Sequence, residues 1–106
     1  RGRIERVPLN EIIYCKAEQK YVTLYLANST RIYDGSLNEL EALYENYFLR
    51  IHRNTLVAKK AIQSVEKKLC DEDEGQWYLR LYYTDDLLPI SRRLLSAAKA
   101  HVKGSA

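Results

Sequence analysis

The feature that most constrains this chain is the strict alternation in residues 20–27, Lys-Tyr-Val-Thr-Leu-Tyr-Leu-Ala. On an extended backbone Val22, Leu24 and Leu26 fall on one side, and Tyr21, Thr23 and Tyr25 on the other. A helix would scatter these positions around its circumference, so the period of two predicts a strand with one face on a core. The same period returns at 76–83, where Trp77, Leu79, Leu81 and Tyr83 oppose Tyr78, Arg80 and Tyr82. Nine tyrosines against one phenylalanine fit this, because tyrosine suits the half-buried surface of a sheet.

The segments between follow the same logic. Ile12 to Ala17 is a short, mostly apolar run, as expected of a buried strand. Ala27-Asn28-Ser29-Thr30 carries turn residues, and Arg31-Ile32-Tyr33 reads as the returning arm of a hairpin. Leu37, Leu40, Leu43 and Tyr44 are spaced three and four apart. Ser36 precedes them and Glu39 stands three residues later, a capping-box pattern that predicts a helix ending near Asn46. Phe48-Leu49-Arg50-Ile51, Thr55-Leu56-Val57 and the stretch from Ala61 to Val65 return to β character. After the acidic loop Asp71-Glu72-Asp73-Glu74 and the strand at 76–83, Asp85-Asp86 turns the chain into a short strand, Leu87-Leu88-Pro89-Ile90. Leu94, Leu95, Ala98 and Val102 then give a final helix over residues 92–102. The sum is a mainly β domain with one short internal helix and a C-terminal helix.

At 106 residues the chain is expected to form one domain, residues 1–106, burying roughly 65% of the surface its unfolded form exposes. No apolar run approaches the roughly 20 residues of a membrane-spanning helix. The opening Arg1-Gly2-Arg3-Ile4-Glu5-Arg6 has no apolar segment after its charges, so it reads as a linker and not a signal peptide. With no methionine anywhere, the chain is expected to be part of a longer protein. Cys15 and Cys70 are too few and too far apart for a disulfide framework or a structural zinc site. A reducing, cytoplasmic location is the expectation, with Cys15 serving as inert packing.

Catalytic signals are lacking. His52, His101 and Ser91 have no nucleophile motif such as Gly-x-Ser-x-Gly, and four glycines make no phosphate-cradling loop. No enzyme activity, cofactor or metal is expected. The net charge of +3 is modest, but its distribution is uneven. Arg50, Arg53, Lys59-Lys60, Lys67-Lys68 and Arg92-Arg93 stand apart from the acids, which gather between Glu39 and Glu45 and at 71–74. Such a chain can present one strongly positive face.

Two of these clusters matter most. In Arg50-Ile51-His52-Arg53-Asn54 a straight strand cannot bury Ile51 and also expose Arg53, so the strand should end at His52 and leave Arg53 and Asn54 in a loop. Arginine and asparagine suit bidentate contacts with guanine and adenine edges in the major groove. Ser91-Arg92-Arg93 lies at a strand-to-helix junction. Ser91 could simply cap the helix over two solvated arginines. Yet two cations at a helix N-terminus oppose its dipole at a cost of a few tenths to about 1 kcal/mol, which an anionic partner would offset.

In order and spacing these segments resemble the LytTR family, the DNA-binding output domains of AlgR-, LytR- and AgrA-type response regulators, and most of all the AlgR-like subgroup. The resemblance runs from about Ile4 to Val102 and is carried by Ile12 to Ala17, Lys20-Tyr21-Val22, Ser36 to Leu40, Phe48 to Val57 and Leu88 to Arg93. It implies elongated antiparallel β-sheets and sequence-specific duplex binding by loops in the major groove, on direct repeats and in pairs. It also implies an upstream receiver in the full-length protein of a two-component system. By motif, Lys20 and Tyr21 would act from the first loop, Arg53 would read a base with Asn54 on phosphate, and Arg92 would read a base with Arg93 near the backbone. His52 would anchor its loop, and Lys59 would contact phosphate. The chain departs from the family in carrying Lys20-Tyr21 where some relatives have histidine, and Asn54 where serine is usual. Two other readings remain: a peptide-binding β module using Arg31-Ile32-Tyr33 as an edge, and RNA binding with Tyr21, Tyr25, Tyr78 and Tyr82 as stacking surfaces.

Overall fold

The computed structural model describes residues 6–68 and 75–104. The acidic run at 71–74, Cys70 and most of the linker-like opening lie outside the described residues. Eight strands form two antiparallel sheets among the described residues. The first comprises β1 (Tyr14–Glu18), β2 (Tyr21–Tyr25), β3 (Thr30–Tyr33), β4 (Phe48–His52) and β5 (Thr55–Ala58), in the order β3-β2-β1-β5-β4. The second is β6 (Ile62–Lys68), β7 (Gln76–Leu81) and β8 (Leu87–Pro89), in sequence order. Helix α1 (Leu37–Leu43) joins β3 to β4, and α2 (Leu95–Gly104) follows β8 through a 3-10 turn, Arg92–Leu94. The mainly β architecture with two helices is as expected, and its extents of 48 × 32 × 25 Å make it elongated.

The five-stranded sheet is buried on both faces, and alternation explains how. Val22, Leu24, Cys15, Leu56 and Phe48 point to one side, where Leu37 and Leu40 of α1 close a core. Tyr14, Val57 and Ile51 point to the other, where Leu79, Leu81, Leu88, Ile90 and Ala98 of the second sheet and α2 form another. The polar-looking face of β2 is therefore not simply solvated. Tyr25 stacks on its cross-strand partner Tyr14, centroids 4.3 Å apart and planes at 10°, rather than offering its ring to a base. Strand β3 is an edge, with Ile32 exposed.

Several boundaries differ from the sequence pattern. Helix α1 stops at Leu43 instead of near Asn46, since Tyr44 leaves the helical region (φ −129°, ψ 46°). The amides of Tyr47 and Phe48 then both donate to Tyr44 O, a turn that delivers Phe48 into the core. The capping box is half realised. Ser36 Oγ accepts from the Glu39 amide at 3.0 Å, while the Glu39 carboxylate accepts from Tyr33 Oη at 2.9 Å. Gly35 leaves room for that contact, since a Cβ there would stand 2.0 Å from Glu39 Oε1 and 2.5 Å from Tyr33 Cε2 and would push these side-chain ends aside. Strand β6 runs on to Lys68, because Val65, Glu66, Lys67 and Lys68 all pair with β7. Tyr83 does not share the inner face of β7, for the strand ends at Leu81 and Tyr83 turns outward with φ 77°.

Cys15 is completely buried and its thiol is pushed up to about 12 by that burial, so it remains neutral packing. Tyr14 donates from Oη to Asp86 Oδ2 at 2.7 Å. Burial first, and then that carboxylate, push the Tyr14 phenol well above its ordinary value. The neutral phenol is thus favoured in the folded state, so its contribution is complete below pH of about 10 and is lost as pH rises above that. Urea titrations should give a stability falling above pH of about 10. Tyr14→Phe should lower stability by about 1–3 kcal/mol at pH 7 and make the alkaline fall shallower.

Candidate nucleic-acid interface

Three basic segments meet at one end of the molecule, and the backbone shows why. The β1–β2 hairpin closes through Gln19 and Lys20 between the paired residues Glu18 and Tyr21. Gln19 has φ 54°, the left-handed sign that a two-residue hairpin needs to match strand twist. Lys20 and Tyr21 are both exposed there. The β4–β5 hairpin closes through Arg53 and Asn54, so the strand does end at His52. Lys16 pairs with Thr55, and the Ala17 amide donates to Asn54 O at 2.9 Å. These two links put both turns on the same edge of the sheet.

The third segment arrives through a bulge. Arg50 pairs with Leu56 and His52 with the next residue, Thr55, leaving Ile51 as an extra residue in β4. Ile51 is buried completely in the core between the sheets. Its carbonyl accepts from the Ser91 amide at 2.9 Å, tying the Arg92–Leu94 turn to β4. Arg92 and Arg93 are both exposed. Ser91 caps this turn with its backbone, O accepting from the Leu94 amide at 3.0 Å. Its side chain makes no capping bond, and Oγ is buried without a hydrogen-bond partner.

The Arg53-Asn54 turn is held from within. His52 Nδ1 accepts from the Asn54 amide at 3.4 Å, which gives this histidine the anchoring place expected of it. Thr55, buried, donates from Oγ1 to Asn54 Oδ1 at 2.9 Å. With its oxygen so engaged, the Asn54 carboxamide has its NH2 donors left for an acceptor outside. Arg50 was legible only as one more cation in a basic run. In the structure its guanidinium turns inward to two carbonyls of the turn and to Asn38 and Glu41 of α1.

Lys59 is not part of this end. It begins the 3-10 turn Lys59–Ala61 at the opposite end of β5, about 13 Å along four residues of strand. Its amide donates to Tyr47 O at 2.8 Å, and it lines a cleft with Asn38, Glu41, Arg50 and Leu94. Of the tyrosines considered as stacking surfaces, Tyr25 is engaged with Tyr14 and Tyr78 lies under Lys68, whose Nζ is 5.8 Å from the ring centroid. No helix among the described residues is long and apolar enough to cross a membrane, and no metal-binding group of His, Cys, Asp or Glu occurs among them.

A family model described as the LytTr DNA-binding domain matches residues 2–103. The chain belongs to the LytTR family. Its AlgR-like character is borne out by the positive alginate biosynthesis regulatory protein of Pseudomonas aeruginosa, 37% identical over 100 residues, with 93% of this chain and 39% of that protein covered. An uncharacterized response regulatory protein of Vibrio cholerae is 34% identical over 97 residues, covering 86% of this chain and 34% of its own. The LytTR chain thus spans well under half the length of these relatives. Among solved structures, the LytTr DNA-binding domain of a putative methyl-accepting/DNA response regulator from Bacillus cereus has the same fold. Its TM-score is 0.74 at 22% identity, over 91% of this chain and 84% of that one.

The hairpin end carries a local test. Gln19→Gly should leave stability unchanged or raise it by up to about 1 kcal/mol, by removing the left-handed strain of a side chain. Gln19→Val should lower it by about 1 kcal/mol or more, read from urea midpoints.

Proposed function

We propose that this LytTR domain reads the sequence of duplex DNA with the three basic segments at one end of its sheets. The observation that carries the reading is their convergence, secured by the Ala17–Asn54 and Ser91–Ile51 backbone bonds. Arg53 and Arg92 are the base readers, suited to guanine O6 and N7 in the major groove. Lys20 and Tyr21 complete the reading edge, and Asn54 and Arg93 hold phosphate and register. Lys59, set apart by the length of β5, meets phosphate only. The longest extent, 48 Å, exceeds the roughly 34 Å of one DNA turn, which favours contact with more than one groove and pairing on direct repeats.

The chain, residues 1–106, acts as one domain with 1–6 as a connecting linker. It serves as the output of a longer, cytoplasmic response regulator in which a receiver domain governs transcription. The two relatives from Pseudomonas aeruginosa and Vibrio cholerae are regulatory proteins of more than twice its length, and this supports the reading. The family and relatives lend nothing to a peptide-binding module, and β3 offers no second observation for it.

The test is a titration of duplexes selected from a random pool against unselected duplex at two salt concentrations. The selected sequence should bind at least about 10³-fold tighter, with affinity falling steeply as salt rises. Arg53→Ala and Arg92→Ala should each cost about 1–3 kcal/mol on the selected site and relax preference at one position. Lys59→Ala should weaken all duplexes about equally and reduce the salt slope by about one. Unchanged affinity and preference in Arg53→Ala would remove that turn from the reading edge.

A further inference from the structure

We infer that Arg50 is a positioning residue for DNA reading, one that fixes the shape of the Arg53-Asn54 turn by bridging it to α1. The inference rests on the proposed function and goes beyond it, because Arg50 itself makes no base contact in this account. Its geometry is unusually complete. Nε donates to His52 O at 2.9 Å, and one terminal nitrogen donates to Arg53 O at 2.5 Å. The other terminal nitrogen donates to Asn38 Oδ1 at 2.9 Å and to Glu41 Oε1 at 2.6 Å. Four of the five N–H donors that a guanidinium owns are therefore satisfied inside the domain. What remains cannot make a bidentate base contact without breaking them.

Both turn carbonyls sit on consecutive residues at the point where the chain leaves β4, and they flank the Arg53 peptide that carries the reading side chain. Holding them restricts the two backbone angles that aim Arg53. The Arg50 side chain is 18% exposed, and the Glu41 side chain beside it 42%. Glu41 and Asn38 lie on α1, whose own place is set by Leu37 and Leu40 in the core with Phe48 of β4. The clamp thereby refers the turn to a fixed helix. A planar fork is needed to span four acceptors on two elements, and a lysine ammonium cannot do so.

Two variants separate positioning from charge. Arg50→Lys keeps the positive charge and loses the fork. Glu41→Ala removes the acceptor for Arg50 together with a negative charge near the DNA-facing end, and the loss of charge alone should raise affinity for any duplex. If Arg50 positions the turn, both variants lose about tenfold or more on the selected duplex, while affinity for unselected duplex stays level or rises in Glu41→Ala. The salt slope stays within experimental error in Arg50→Lys. Amide shifts in two-dimensional NMR spectra should change at residues 52–55 and along α1, with the second sheet unmoved.

The inference is overturned if both variants keep the wild-type ratio of selected to unselected binding, or if Arg50→Lys weakens both duplexes equally. Should Arg50→Lys fail to fold, Glu41→Ala carries the decision, since its fall or rise on the selected duplex has opposite sign under the two accounts. Failure of the parent reading looks different. Wild-type protein would then show no preference among duplexes, and the inference would fall with it.

Discussion

The extra residue at Ile51 governs how the functional end is assembled. An antiparallel ladder pairs residues one to one, so inserting Ile51 between Arg50 and His52 bends β4 and frees one carbonyl from the ladder. That carbonyl takes the Ser91 amide and so attaches the far end of the chain to the middle of it. The same insertion lets Ile51 enter the inter-sheet core while Arg50 faces α1 and Arg53 faces solvent. A regular strand could satisfy only some of these demands, since its side chains alternate without exception.

Around that bend, the five-stranded sheet works as a septum between two cores. Burial on both faces explains why the interior strand β5, Thr55–Ala58, flanked by β1 and β4, is buried at every position. It also explains the tyrosines, which fill sheet faces with their rings and send their hydroxyls to the rim, as Tyr14 does to Asp86 and Tyr47 to Ile12 O. Two-residue turns anchored by a two-sided core hold Arg53 and Lys20 on a backbone with little freedom left to lose on any binding event.

The electrostatic lesson concerns placement more than total. A net charge of +3 would give weak attraction if it were spread evenly. The fold instead places Lys20, Arg53, Arg92 and Arg93 at one end, and uses Arg50 and Arg80 internally against Glu41 and Glu66. Basic residues in this chain thus include some, such as Arg50 and Arg80, whose guanidinium groups meet carboxylates of their own domain. Sequence alone lists these and the other cations identically.

What the sequence determined by itself was local. The period of two at 20–27 and 76–81, the Ser36 cap with its leucine spacing, and the conflict between a buried Ile51 and an exposed Arg53 each follow from short-range geometry. They are legible because side-chain direction depends only on neighbouring backbone angles. Family membership was legible too, because order and spacing of such segments are also linear information. The tertiary structure alone decided that three turns far apart in sequence share one end, that Lys59 does not, and that the Arg50 guanidinium hydrogen-bonds the Arg53-Asn54 turn and α1. It also ended α1 early and turned Tyr83 outward. Those outcomes depend on strand order, on a bulge and on hydrogen bonds between residues far apart in the chain, such as Ser91 to Ile51 and Tyr14 to Asp86, and such long-range pairings leave no period in the chain.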